Sequence, residues 1–299
     1  MKILVYGAIN IDLIFSVDHI AMPGETVSAG DFKRGPGGKG SNQAAALAKA
    51  GVPVYLAGKI GHDGEFLLEL LRSYKVDTSL VTIYEGATGN ALIQVDKNGQ
   101  NAIVPYAGGN GAITVEEVNK VLGNFGKDDI VILQNEIVHA AEIIAEAKKR
   151  GLKVCFNPSP YDEKISSVPL DLVDTFFVNE LEGAALAAEG GTGGADKNAP
   201  FPVILEKLVT KFPHAEIILT AGKEGAFYGF KNERAKGDIV DIPVVDTTGA
   251  GDTFSGYFIA ARARGIDVNE ALRLACKASS IAVSRPGAME AVPFASEVF

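Results

Sequence analysis

Only two cysteines occur among the 299 residues, and Cys155 and Cys276 both fall in apolar surroundings, one on a predicted strand and one on a predicted helix. A small buried thiol is the default there, so neither reads as a disulfide or catalytic partner. The four histidines, His19, His62, His139 and His214, lie far apart and match no metal-ligand spacing. A basic excess is missing too. The formal net charge is −9 with no large Lys/Arg cluster, which excludes a general nucleic-acid surface. An anionic ligand must then be held by local dipoles, a few cations or a metal ion. Apolar runs such as Val173–Val178 fall far short of the roughly 20 residues that a membrane span needs. The opening MKILVYGAINID has no cleavage-site pattern. No membrane partner and a cytoplasmic location are therefore expected. What the chain does have is 47% hydrophobic and 22% charged residues, enough for a sizeable core in one large domain or one domain with an appendage.

The stretch around which the rest is organised is Asp246–Gly256, DTTGAGDTFSG, just before an apolar helical segment from Phe254 to about Ala263. Gly249 and Gly251 permit a tight turn that aims successive N–H groups and a helix start at one point. A helix start carries about half a positive charge, and such amides suit phosphate oxygens. Asp252 stands inside that anion site. A carboxylate beside phosphate is awkward unless it takes a proton from the attacking hydroxyl. Asp is also common in the first turn of ordinary helices, so the remaining chain has to decide.

Lys2–Ile9 is an apolar run suited to a buried strand. Alternation then puts Asn10 and Asp12 on one face and Ile9, Ile11 and Leu13 on the other. An amide and a carboxylate two residues apart can grip vicinal hydroxyls; a solvent-facing strand edge is the alternative. Gly35, Gly37 and Gly40 satisfy G-x-G-x-x-G, but DFKR precedes them where a dinucleotide site needs an apolar strand. A Walker A loop fails because Gly40 follows Lys39. The loop precedes a helix from Gln43 to Ala50. Gly37 and Gly38 would let backbone approach a small ligand, with Lys39 and Asn42 as donors; a flexible loop with a solvated lysine is the alternative. Extended stretches near 11–18 and 26–33, with a hairpin of 88–95 and 101–105 across the Asp96–Gly99 turn, supply about four strands without flanking helices. They predict a small sheet appended to a larger αβ body.

From Thr114, which forms a capping box with Glu117, strands and helices alternate. Strands are expected at 130–133, 153–156, 175–178, 216–219 and 238–242, and helices at 140–150, 180–188, 203–211 and 268–284. Continuously apolar strands in this order imply a parallel sheet covered on both faces, with ligands at the strands' carboxyl ends. Asn10, Glu136, Asn157, Asn179 and Thr220 each follow an apolar run and form an ordered row of candidates. Asn179 with Glu182 also reads as an ordinary helix cap. Residues 189–200, EGGTGGADKNAP, read as a surface loop.

With both glycine motifs in place, the chain resembles the ribokinase-like carbohydrate kinase family over nearly its whole length, through GAINID at Gly7, PGET at Pro23, GGKGSNQA at Gly37, NPSP at Asn157, Asn179 with Glu182, and DTTGAGDTFSG. The resemblance implies an α/β fold, a three-layer αβα body with a mostly parallel central sheet, closed by a β lid from about 11–34 and 87–106. It implies ATP-dependent phosphorylation of a sugar hydroxyl. Asp252 corresponds to the general base for a ribose 5-hydroxyl, and Gly249, Ala250 and Gly251 to the anion hole. Asn10, Asp12, Gly38, Lys39, Asn42 and Glu136 correspond to sugar contacts, and Asn179, Thr220, Gly222 and Gly225 to nucleotide contacts. Glu182 belongs to the motif that organises Mg2+ through water. Asp246, Thr248, Ala282, Arg285 and Gly287 match positions around a monovalent cation such as K+, mostly through backbone carbonyls. Here the chain departs from the family, because Ala291 replaces a hydroxyl ligand and Pro286 enters the loop. The family's lid often forms a homodimer interface.

Ribose is preferred as substrate because Asn10 can meet a second hydroxyl that deoxyribose lacks. A fructokinase or nucleoside kinase of the same family remains open. So does a sugar-binding sensor without catalysis, which would not need Asp252. An oxidoreductase is disfavoured by the missing strand before Gly35.

Overall fold

Ile3 and Val5 face one side of the first strand and Leu4 and Tyr6 the other, and all four are buried, so this strand is covered on both faces. A computed structural model of the chain describes residues 1–188 and 199–299. Along the first half run β1 (Ile3–Tyr6), β2 (Asn10–Ser16), β3 (Asp31–Gly37), α1 (Lys39–Lys49), β4 (Tyr55–Gly61), α2 (Glu65–Ser73), β5 (Asp77–Tyr84), β6 (Gly89–Val95), β7 (Asn101–Tyr106) and α3 (Val115–Leu122). There follow β8 (Ile130–Gln134), α4 (Ala140–Lys149), β9 (Lys153–Asn157), β10 (Thr175–Asn179), α5 (Glu180–Ala187), α6 (Phe201–Lys211), β11 (Glu216–Thr220), β12 (Ala226–Phe230), β13 (Glu233–Gly237), α7 (Ala250–Ala263), α8 (Val268–Val283) and α9 (Ala295–Val298).

Among the described residues, nine strands form one sheet in the order β13-β12-β11-β10-β9-β8-β1-β4-β5. All neighbours from β11 to β5 pair in parallel, and at one edge β12 pairs antiparallel with both β11 and β13. Helices α1, α2, α7 and α8 pack on one face and α3 to α6 on the other. The expected three-layer αβα body is therefore the observed one. Chain order reverses between β1 and β8, and a parallel sheet opens a crevice at the carboxyl ends of such a pair.

A second sheet, ordered β3-β2-β6-β7, pairs β2 with β6 in parallel and its other neighbours antiparallel. The hairpin expected at 88–105 forms across the predicted turn. Thr114 and Glu117 cap α3 reciprocally.

Three sequence expectations change. The core strand ends at Tyr6, and Asn10 instead begins the small sheet. The second strand of that sheet in chain order is Asp31–Gly37, later than the extended stretch near 26–33, because its backbone pairs residue for residue with β2 although its side chains are mostly exposed. A strand does precede the glycine motif, then, but as an exposed antiparallel edge and not the buried parallel strand of a dinucleotide site. Finally, the edge strand is Glu233–Gly237, where 238–242 was expected. Its charged side chains suit a sheet edge, while the more apolar Ile239 and Val240 are 43% exposed outside any strand. The loop expected over 189–200 falls mostly on residues 189–198, outside the described part of the chain.

Candidate active site

Helices α1 and α7 cross so closely that a Cβ on Gly256 would lie 2.5 Å from the Ala46 Cβ. Only glycine permits that approach, and it brings the first turns of both helices together. Asp252, 6% exposed, then accepts from Asn42 Nδ2 at 3.1 Å and from Gln43 Nε2 at 2.9 Å. Burial raises its pKa, opposed by the Lys39 ammonium and by the two amide donors.

Gly249 caps α7 in the left-handed region, at φ 72°. The Ala250 N–H donates to Thr247 O at 3.3 Å, so the expected anion hole differs in detail. The next two amides, of Gly251 and Asp252, are the orphan donors that a helix start leaves, and a Cβ added to Gly251 would meet open space. Ser279 Oγ donates to Ala250 O, tying α8 beneath the turn.

A cavity of about 490 Å³ lies before this helix start. Asn157, Asn179 and Thr220, all from the predicted row of strand ends, line it together with Gly222, Gly225, Glu182, Lys39, Gly249, Ala250, Gly251 and Asp252. Parallel register places Asn179 beside Thr220 and Gln134 beside Asn157. Ser159, Ile239 and Ser279 also line it; Ser159 stands in the NPSP run and Ile239 in the strand expected at 238–242, but neither, nor Ser279, was read as a site residue. Cys276 reaches the same cavity, buried, with its thiol pushed up to about 12 by burial above all, and so stays an unreactive wall.

Asn179 and Glu182 do form the ordinary cap: Asn179 Oδ1 accepts from the Leu181 and Glu182 amides, and Glu182 Oε2 accepts from the Asn179 N–H. Capping commits Oε2 and leaves Oε1 of this 6% exposed carboxylate as the one available to the cavity. An anionic oxygen beside a phosphate-sized space fits Mg2+, a hard cation that keeps several waters.

The other candidates gather around Lys39, at the crevice between β1 and β8. Lys39 N donates to Glu136 Oε2 at 2.8 Å. Burial pulls the Lys39 ammonium down, but Asp252, Glu136, Glu182 and Asp12 together hold it above its ordinary value. Burial, then Glu136 and Glu290, push Asp12 up to about 7, with Lys39 opposing. Glu136 is raised as well, first by burial. Asn10 Oδ1 accepts from Asn110 Nδ2 at 2.7 Å. Asn110, 2% exposed, lies in a short turn after β7 and was missed in the sequence, where GGNG reads as loop.

The glycine pair before α1 serves the protein more directly than was expected. A Cβ on Gly37 would overlap the Asp12 carboxylate, and one on Gly38, at φ 90°, would stand 2.6 Å from Ala8 O. These glycines make room for Asp12 and for the β1–β2 crossing.

Asp246 ties the two loops suggested for a cation. Its Oδ1 accepts from Thr248 N and Oγ1, its Oδ2 from Gly287 N, and its own amide and that of Val245 donate to Val283 O. The Arg285 guanidinium pairs with Glu297. Ala291 is 1% exposed and brings no oxygen from its side chain. Any cation here depends on backbone carbonyls, as the residue pattern implies for Ala282, Arg285 and Gly287.

Residues 1–295 match the pfkB family carbohydrate kinase pattern. The chain is 32% identical to the ribokinase of Staphylococcus aureus over 304 aligned residues, 99% of this chain and 98% of the relative. Among solved structures, the ribokinase of Thermotoga maritima superposes with a TM-score of 0.87 at 31% identity, covering 100% of this chain and 98% of that one. The ribokinase of Arabidopsis thaliana complexed with ribose and ATP superposes with a TM-score of 0.85 at 29% identity, covering 99% and 97%.

Proposed function

The chain belongs to the pfkB family of carbohydrate kinases, and from that footing we propose that it transfers the γ-phosphoryl group of ATP to the 5-hydroxyl of ribose. The observation that carries the reading is Asp252: a buried carboxylate, gripped by two amides, at the mouth of a helix start and on the wall of a cavity large enough for a nucleotide.

In this reading the sugar hydroxyl gives its proton to Asp252 while its oxygen bonds to the γ-phosphorus and the bond to the ADP oxygen breaks. The free amides of Gly251 and Asp252, presented by the turn at Gly249 and Ala250, receive charge on the transferring group, and Lys39 adds its ammonium. Asn10, Asp12, Gly38, Lys39, Asn42 and Glu136 hold the sugar. Asn179, Thr220, Gly222 and Gly225 hold the nucleotide, with Ile239 as an apolar wall for its base. Glu182 would hold Mg2+ through water, and the ion when bound would supply positive charge to the phosphates. The loops at Asp246, Thr248, Ala282, Arg285 and Gly287 take a monovalent cation through carbonyls.

The small sheet acts as a lid that keeps water from the reaction. It leaves Phe32, Ile103, Val104 and Tyr106 more than half exposed. Such a surface supports a homodimer through the lid, and dependence on ATP fits a cytoplasmic location. No described helix is long and apolar enough to cross a membrane.

The test is ADP release with magnesium-ATP against ribose, deoxyribose, fructose and adenosine, with and without potassium. A strong preference for ribose is expected. Preference for fructose or adenosine would keep the chemistry and overturn the sugar assignment; binding without turnover on any sugar would favour a sensor.

A further inference from the structure

Two glutamines stand behind Asp252, and neither lines the cavity in front of it. Gln43 on α1 is 2% exposed and Gln134, the last residue of β8, is fully buried. Gln134 Nε2 donates to Gln43 Oε1 at 2.7 Å, and Gln43 Nε2 donates to Asp252 Oδ1 at 2.9 Å. A carboxamide has one accepting end and one donating end, so this chain has a direction. With its oxygen taken by Gln134, Gln43 can turn only its NH2 group toward the carboxylate. Asn42 supplies a second NH2 group to Oδ2.

Both Asp252 oxygens therefore hold donors, an arrangement that favours the ionised carboxylate and opposes the acid. The charged groups around it do not do this alone. Among the described residues Lys39 is the one cation facing Asp252, and it is shared with Glu136, Glu182 and Asp12. The arrangement also carries a cost that packing does not explain. Gln134 Oε1 is buried without a partner, where an aliphatic side chain of similar size would leave nothing unpaired.

We infer that Gln43, oriented by Gln134, is a positioning residue for phosphoryl transfer, which fixes the Asp252 carboxylate in place and keeps it able to accept the proton of the sugar hydroxyl. The inference rests on Asp252 being the base, as proposed above. Gln43 touches neither sugar nor nucleotide; it acts through Asp252.

The experiment is the pH profile of kcat at saturating ribose and magnesium-ATP, where the change of ribose KM with Asp12 ionisation does not enter, measured for the wild type, Gln43→Leu, Gln134→Leu and Asp252→Asn. Loss of one amide donor should move the acid limb of Gln43→Leu upward by about one pH unit. Its rate deficit should be about tenfold on that limb and shrink at higher pH. Gln134→Leu, which leaves every contact of Asp252 in place except through Gln43, should move the limb the same way by less. A loss by the same factor at every pH, or no loss, would overturn the inference, because a merely structural role cannot displace the limb. If Gln43→Leu fails to fold by circular dichroism, the limb of Gln134→Leu decides alone. Asp252→Asn separates the two levels: if it is inactive while the limb stays put, only the glutamine relay falls, and if it stays active, the base assignment falls and the relay with it.

Discussion

Asn110 decides which end of the Asn10 amide is left for a ligand. The Ile9 N–H, which can only donate, gives its proton to Asn110 Oδ1 at 3.2 Å. Asn110 Nδ2 must then donate to Asn10 Oδ1 at 2.7 Å, which leaves the Asn10 NH2 group free to donate to a sugar oxygen.

Replacing Asn110 with Leu should therefore weaken sugar binding while leaving the nucleotide side alone. The Ile9 amide loses its acceptor and Asn10 its fixed orientation, so the KM for ribose should rise about tenfold, the equivalent of about one hydrogen bond. The KM for ATP should hardly change. Steady-state kinetics with each substrate varied in turn will check this, and an unaltered KM for ribose would refute the orientation argument.

Asp252→Asn keeps the size and one oxygen to accept from Gln43 Nε2, sets an NH2 group where Asn42 Nδ2 now donates so that the Asn42 amide must turn, and removes the proton acceptor. We expect kcat to fall by about 100-fold to 10,000-fold, while calorimetry finds ribose bound within about threefold of the wild-type affinity.

Asp12 couples pH to sugar binding. Its carboxyl is pushed from an ordinary value of 3.8 up to about 7 by burial first, and then by Glu136 and Glu290. Only the ionised form accepts two hydroxyls, so the KM for ribose should rise as pH falls below about 7. Stability of the free protein runs the other way. The folded state keeps the Asp12 proton between pH 4 and 7 while the unfolded chain releases it, so this group's contribution is complete below about pH 4 and lost as pH rises through about 7. Asp12→Asn should abolish the step in KM, bind ribose more weakly, and gain melting temperature relative to wild type between pH 5 and 8. A melting difference that stays flat with pH would contradict the assignment.

Lys49 holds the C-terminal loop in place behind the anion site. Only 4% exposed, its ammonium donates to Met289 O at 2.9 Å, Val292 O at 3.0 Å and Glu290 O at 3.3 Å, and it lies 4.2 Å from the centre of the Tyr74 ring. Met289 follows Ala288, against which Gly249 packs. Lys49→Met strands these carbonyls and should cost about 3 kcal/mol, or about 6 °C in melting temperature for a chain of this size. Thermal denaturation gives the answer; a variant melting with the wild type would show the staple to be idle.

By itself the sequence determined the layers and the chemistry that repeats locally. Period-two and helical apolar patterns set β1, the αβ alternation after Thr114 and the 88–105 hairpin, because each is encoded within a few residues of itself. Asp252 was legible because a helix start and its glycines are contiguous, and Asn157, Asn179 and Thr220 because a polar residue after an apolar strand marks the sheet's carboxyl edge. The strand Glu233–Gly237 was not legible, since an edge strand is made by backbone pairing and its side chains show no apolar period. Only the tertiary structure could decide that Gln43 meets Asp252 across 209 positions of chain, and that Asn110 turns Asn10 across 100. Those bonds depend on how closely α1 and α7 cross and on where the turn after β7 lands, and a hydrogen bond's direction is settled by the partner that space supplies, which local pattern does not contain.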